Sequence, residues 1–205
     1  MKSVEYHIYN KITKNKRGLI FFPIDFIELG SSESIRKSLS KLEQQKVLER
    51  LAHGVYLYPK QHPVYGNLYP STEEIAKQIA RRDHAHIIPT GSTALHQLRL
   101  TTQVPMNMIY LTDGAPRKIK IGKQQITFKS TTSKKLATKG KISTLVIQAL
   151  QELGEKNVDK KIQEHLKVIL ADEDPKLLKH DTKLAPVWIA KRIKELTKLK
   201  NDKMA

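Results

Sequence analysis

Apolar residues recur at helical spacing near the front of the chain. Val4, Ile8 and Ile12 fall four apart, Lys14, Lys16 and Arg17 follow, and Gly18 is a stop, which predicts a helix over residues 3–15. Leu19-Ile20-Phe21-Phe22 predicts a short buried strand. Pro23 suits a first helical turn, where its missing N–H is not needed, and opens a helix expected to turn Ile24, Ile27 and Leu29 inward before Gly30 ends it. Ser31 and Ser32 are good N-caps. Beyond them Ile35, Leu39 and Leu42 form the apolar stripe of a third helix, whose outer face collects Glu33, Arg36, Lys37, Ser40, Lys41 and Gln44. Val47–Leu51 reads as a strand, His53-Gly54 as a turn, and Val55-Tyr56-Leu57-Tyr58 as a second strand ended by Pro59. Helix, strand, helix, tight turn, helix and hairpin within residues 1–60 is the order of a winged helix-turn-helix.

Residues 61–70 contain Pro63, Gly66 and Pro70 and read as a linker. Ser71 or Thr72 can cap a helix to Arg82 that buries Ile75 and Ile79. A strand is expected at His86–Pro89, a helix at Thr93–Leu100 burying Ala94, Leu95 and Leu98, and a strand at Met108–Thr112. Arg117–Ile121 and Gln124–Phe128 form a hairpin about Gly122-Lys123. One face of it gathers Ile119, Ile121, Ile126 and Phe128; the other gathers Lys118, Lys120, Gln125, Thr127 and Lys129. The remainder is helical. One amphipathic helix carries Ile142, Leu145, Val146, Ala149, Leu150 and Leu153, and the next carries Ile162, Leu166, Ile169 and Leu170. Asp172-Glu173-Asp174-Pro175 begins a short third helix, and Pro186 opens a last one with Trp188, Ile189, Ile193, Leu196 and Leu199. The expected fold is α+β: an N-terminal winged helix-turn-helix over 1–60, then a mixed α/β domain with a helical C-terminal part over 71–205.

Charge sharpens this picture. The 205 residues hold 37 Lys and Arg against 20 Asp and Glu, a net charge of +17. The surplus is spread: residues 1–60 have 11 basic and 6 acidic groups, 61–133 have 9 and 4, and 134–205 have 17 and 10. A folded surface that attracts a polyanion accounts for this, as does lysine used for solubility, so the placement of motifs has to decide. The absence of cysteine excludes a disulfide scaffold, a zinc ribbon, an iron–sulfur site and a thiol nucleophile. No apolar run approaches a membrane span, and Met1–His7 has no apolar leader segment, so a cytoplasmic protein without a membrane partner is expected.

In a helix-turn-helix the second helix of the motif enters the major groove of double-stranded DNA. Ser31 and Ser32 at its N-terminus suit a phosphate, helped by the helix dipole. Arg36 or Lys37 suits a guanine edge. Ser40 shares that outer face, Lys41 and Lys46 suit phosphates, and Arg50 and His53 on the hairpin suit the backbone or minor groove. The bland alternatives are a solvated face and a protein-interaction module. Arg117, Lys118, Lys120, Lys123 and Lys129, with Lys134, Lys135, Lys139 and Lys141 just beyond, form a second basic surface that can extend a DNA footprint or meet an acidic protein. Tyr56, Tyr58, Tyr65 and Tyr69 suit packing of the wing and its surroundings better than base stacking.

Catalytic patterns are missing. His62, His84, His86 and His96 have no metal-ligand spacing. Ser92 and His96 share a helix face without a G-x-S-x-G elbow or an evident acid. Gly91-Ser92 could open a nucleotidyltransferase site, but no Asp-x-Asp follows at the required distance; Asp172 and Asp174 stand far downstream beside a proline. No enzymatic role, metal or cofactor is expected. A nucleic-acid-processing enzyme or its accessory subunit, and a stand-alone regulator with a ligand or dimer module, stay open as alternatives.

The chain also resembles a family. Gly54-Val55-Tyr56-Leu57-Tyr58-Pro59, then Tyr65-Gly66-Asn67-Leu68-Tyr69-Pro70, then Pro89 to Pro105 (PTGSTALHQLRLTTQVP) running on to Tyr110-Leu111-Thr112, resemble the AbiEi-type antitoxins of bacterial type IV toxin–antitoxin (abortive infection) systems. The likeness covers roughly residues 1–130. It implies a winged helix that binds inverted repeats upstream of its own operon and represses it. It further implies that the remaining domain neutralises a nucleotidyltransferase-like toxin without a stable complex between the two.

Overall fold

The computed structural model describes residues 3–198. It is α+β, with N-terminal helices around a small antiparallel sheet in the winged-helix arrangement, then a mixed sheet and C-terminal helices. The chain divides into two compact units, Met1–Gln78 with Ile119–Gly122, and Ile79–Lys118 with Lys123–Ala205. Among the described residues no helix is long and apolar enough to cross a membrane.

The first unit starts with α1 (Val4–Thr13), whose first turn is tied by the Ser3 hydroxyl accepting from the Tyr6 N–H at 3.2 Å. Strand β1 (Ile20–Phe21) leads into a 3-10 helix (Pro23–Leu29), held at its start by the Asp25 carboxylate, which accepts from the Phe22 N–H at 2.7 Å. Next come α2 (Ser32–Gln44), β2 (Glu49–Ala52) and β3 (Val55–Leu57), and the sheet order is β1-β3-β2, antiparallel throughout. Ile8, Ile12, Phe26, Ile35, Leu39 and Leu42 pack with Phe21, Leu48, Tyr56 and Tyr58 into one core.

The segment after Pro23 departs from expectation. Ile24 and Ile27 are 53% and 58% exposed, while Phe26 is fully buried and Leu29 packs at the core's edge. A 3-10 helix repeats every three residues, so Pro23, Phe26 and Leu29 share a face and the isoleucines turn outward. Residues 60–68, read as the close of the wing and a linker, carry a hairpin of β4 (Lys60–His62) and β5 (Gly66–Leu68). Its tip is organised by His62 Nδ1, which accepts from the Val64 and Tyr65 N–H groups at 3.2 and 3.3 Å.

Helix α3 (Thr72–Arg82) is opened by a capping box: Ser71 Oγ accepts from the Glu74 N–H, and the Glu74 carboxylate accepts from the Ser71 N–H at 2.7 Å. The second unit holds β6 (Ile87–Thr90), α4 (Ser92–Gln97), β7 (Asn107–Thr112) and β9 (Gln124–Ser130); β8 (Arg117–Ile121) precedes β9 in the chain, and the sheet order is β6-β7-β9-β8. Strand β9 is the neighbour of β8, as the hairpin requires, and on its other edge it runs parallel to β7, so it is a central strand. Thr127, expected on the lysine face, is consequently buried, and its hydroxyl donates to Asn107 Oδ1 at 2.7 Å.

Then come α5 (Ser133–Leu136), α6 (Lys141–Leu153), α7 (Lys160–Leu170), α8 (Pro175–Leu184) and α9 (Val187–Lys198). Helix α6 is the axis of this unit and packs against α4, β6, α7, α8 and α9. Contact on every side explains why Ile147 and even Gln148 are buried with the expected Val146, Ala149 and Leu150. Ile189, Ile193 and Leu196 of α9 join that core; Leu199 lies outside the described residues. The head of α6 is capped from a distance. Buried Asp181 accepts from the Lys139 N–H (2.9 Å), the Gly140 N–H (2.8 Å), the Ser143 hydroxyl (2.6 Å) and His180 Nδ1 (2.8 Å). Glu173 accepts from the Ile142 and Ser143 N–H groups at 2.7 and 2.8 Å.

Candidate nucleic-acid interface

Helix α2 turns Ile35, Leu39 and Leu42, each at most 2% exposed, against the core. That leaves Ser32, Arg36, Lys37, Ser40 and Lys41 on the opposite, exposed face, and Ser31, Lys46, Arg50 and His53 are exposed as well. The helix has 13 residues, so the face is about 20 Å long, a length that fits the major groove of a duplex. Beside it the two-stranded wing, β2 and β3, turns at His53-Gly54.

The contacts of these side chains show what each is free to do. The Ser31 hydroxyl is engaged as the N-cap: it accepts from the Ser34 N–H at 3.3 Å and lies 3.0 Å from Ser34 Oγ. Of the serine pair expected to hold a phosphate, Ser31 therefore fixes the helix start and Ser32 carries the exposed hydroxyl. Arg36 Nε donates to the Ser32 carbonyl at 3.0 Å, one donor of the five a guanidinium carries. Lys37 pairs with Glu33 at 2.8 Å, both largely exposed, and Lys41 pairs with Glu5 at 2.7 Å. Exposed pairs of this kind contribute about 0–1 kcal/mol, so either ammonium can exchange its carboxylate for a phosphate at small cost. On the wing, an Arg50 guanidinium nitrogen lies 3.0 Å from His53 Nδ1. Burial pushes the Tyr56 hydroxyl pKa up, against the opposing pull of Arg50.

Lys46 is an exposed cation with an unusual backbone. It lies at φ 60°, the left-handed region, as the residue past the end of α2. Its N–H donates to the Glu43 carbonyl and the Val47 N–H to the Leu42 carbonyl, both at 2.9 Å, which is the Schellman closure usually made with glycine. His84 (φ 52°) and Arg99 (φ 57°) close α3 and α4 in the same way.

The second basic surface comes apart in one respect. Lys118, Lys120, Lys123 and Lys129 are exposed, but Arg117 is half-buried, ion-paired with Asp83 and stacked 5.4 Å from the Phe128 ring centroid. Burial, then the neighbouring Arg82, lowers its pKa. Arg117 is thus an internal brace rather than a surface cation. The tyrosines divide too: Tyr56 and Tyr58 belong to the core, whereas Tyr65 and Tyr69 are 77% and 59% exposed, with the Tyr69 hydroxyl donating to Glu49 at 2.5 Å.

Among the described residues no group of three His, Cys, Asp or Glu side chains is placed to hold a metal ion. His62 organises its hairpin tip, and the Asp113 carboxylate accepts from the His86 N–H at 2.8 Å and lies 3.0 Å from its ring nitrogen. Asp174 caps α8, accepting from the Lys176 and Leu177 N–H groups. Ser92 is a first-turn residue of α4, with Gly91 at the cap position. Sequence reasoning missed two surface features. Ile24 and Ile27 line a shallow groove of about 340 Å³ beside Ser32 and Arg36, and Val64 and Tyr65 stand 79% and 77% exposed at the β4–β5 tip. A three-residue period after Pro23 was the signal for the first; for the second, strands of three residues gave no alternation to read.

A helix-and-wing module followed by an α+β unit is the class of protein these features define. The chain belongs to a family of unknown function, DUF6088, whose model matches residues 7–178. Among solved structures it is similar to the Rv2827c protein from Mycobacterium tuberculosis, with a TM-score of 0.52 and 11% identity over 95% of this chain and 76% of that one. At that identity the likeness concerns the fold alone. No curated protein matches the sequence.

Proposed function

We propose that this protein is a DNA-binding transcriptional autorepressor and the antitoxin of a type IV toxin–antitoxin system, with no catalytic role. The observation that carries the DNA half is the exposed face of α2: a serine-capped helix presenting Arg36, Lys37, Ser40 and Lys41 beside a wing that carries Arg50 and His53. On this reading α2 lies in the major groove with Arg36 or Lys37 against a guanine edge. Lys41 and Lys46 neutralise phosphates, Ser32 and the helix N-terminus hold another, and the wing meets the backbone or minor groove. The antitoxin half rests on the resemblance carried by Tyr65–Pro70 and Pro89–Pro105, which implies a nucleotidyltransferase-like toxin as functional partner.

A mobility-shift titration on the protein's own upstream DNA, against shuffled duplex at two salt concentrations, tests the first half. Preference for the native duplex and a steep salt dependence are expected, and equal binding to both duplexes would overturn it. Co-expression with the neighbouring reading frame tests the second. Growth rescue from a toxic neighbour carrying a Gly-Ser pair and an Asp-x-Asp is the expected result, and a harmless neighbour without that signature would favour a stand-alone winged-helix regulator.

A further inference from the structure

We propose that the groove between α8 and α9 is a docking site for an acidic amphipathic helix of a separate protein partner. The groove has a volume of about 850 Å³ and its wall area is mostly apolar. Leu178, Ala185, Ala190 and Ile193 contribute to its lining, and Val187 stands 88% exposed beside them. Two threonines in the lining have their hydroxyls committed elsewhere: Thr182 donates to the Leu178 carbonyl at 2.6 Å and Thr197 to the Ile193 carbonyl at 2.9 Å. The helices have 10 and 12 residues, so the groove is about 15–18 Å long, three turns of a docked helix.

The charge around it sets the partner's sign. Lys179, Lys183, Lys191 and Lys194 line the groove and are exposed, and none of them makes an ion pair among the described residues. The acidic groups on these helices are Asp181, which is buried under the head of α6, and Glu195, which lies 3.3 Å from Arg192. An apolar floor between lysine rails fits a helix with leucine-type anchors on one face and carboxylates flanking it. No aromatic residue lines the groove, so it lacks the stacking surface on which single-stranded nucleic acid depends. A second copy of a chain with net charge +17 would meet it with like charge. This inference is independent of the DNA-binding reading, because every groove residue it uses lies in α8, in α9 or in the turn between them.

The test is fluorescence anisotropy with the full chain and a labelled 18-residue peptide carrying Leu at i, i+3, i+4 and i+7 and Glu elsewhere. Binding should weaken at least tenfold when the leucines are scrambled, and at least tenfold when Lys replaces Glu. In the protein, Ala190→Trp fills the floor and Lys183→Glu with Lys191→Glu reverses the rails; each should weaken binding at least tenfold. Lys161→Glu, an exposed charge reversal on α7, should leave it within twofold. Circular dichroism melting establishes that the variants fold. Equal binding of the scrambled peptide, or binding that survives Ala190→Trp in folded protein, would overturn the proposal. Displacement of the peptide by a 20-nucleotide single strand, or a wild-type dimer that Ala190→Trp dissociates, would overturn it as well.

Discussion

Lys46 sits where stability and DNA contact pull in opposite directions, so substituting it separates the two. Its φ of 60° places an L-residue in a conformation that costs about 1–2 kcal/mol and that glycine adopts freely. Glycine also loosens the unfolded chain, which returns about 0.4–1 kcal/mol of that gain. Lys46→Gly should therefore be more stable than Lys46→Ala by about 0.5–1 kcal/mol, since both variants lose the charge and only one relieves the backbone. For a chain of this length that is a difference of about 1–4 °C in melting temperature. The phosphate role predicts something else: both variants should lose DNA affinity equally, with the slope of log K against log salt flattened by about 0.9 each. Arg99→Gly is the internal control, because Arg99 closes α4 with the same geometry and no DNA role is assigned to it. It should melt higher than Arg99→Ala and leave the salt slope unchanged. A Lys46→Gly protein that melts below Lys46→Ala would refute the backbone argument, and an unchanged salt slope in both would refute the phosphate contact.

Four further outcomes follow from the geometry. Asp181→Ala should cost about 3 kcal/mol in urea unfolding, because it leaves the donors at the head of α6 without their charged acceptor. Burial raises the Asp181 pKa, but the hydrogen bonds from Ser143, His180, Lys139 and Gly140 outweigh it and the net direction is down from 3.8. A depressed carboxylate contributes its full stability above its unfolded pKa and loses it as pH falls through the folded one, so the advantage over Asp181→Asn should vanish below the ordinary carboxylate range. Phe26→Ala should cost about 3–5 kcal/mol and Ile27→Ala less than about 0.5 kcal/mol, read by the same unfolding assay; similar losses would contradict the 3-10 register. In operator titrations Arg36→Ala should relax base preference at one position, whereas Lys41→Ala should weaken all sequences alike.

What the sequence disclosed and what it hid divide along physical lines. Helix α2 was readable because Ile35, Leu39 and Leu42 repeat at helical spacing directly after a serine cap, and both signals are local. The charged face followed from the same stripe by elimination. The turn after Pro23 misled because Ile24 and Ile27 look like core residues under a 3.6-residue period, while the chain adopts a three-residue one around Phe26. The β8–β9 hairpin was legible, but the second partner of β9 was not, because its pairing with β7 is long-range and nothing within Gln124–Ser130 announces a parallel neighbour at Asn107–Thr112. The Asp181 cap escaped for a similar reason, since it reaches back 41 residues to Gly140. Arg117 was counted as surface charge because a sequence does not reveal that Asp83 and Phe128 close over it. Lys46 looked like one more surface cation until its φ was known.

Whether α2 faces DNA is directly measurable, because the sequence has no cysteine and one introduced thiol is unique in it. Ser40→Cys carries a photo-crosslinker on the exposed face of α2, and Lys161→Cys carries the same group on α7 in the other unit. On upstream DNA, crosslinks from position 40 to bases in the major groove, with none from position 161, are the predicted result. Crosslinks from position 161 and silence from position 40 would contradict it.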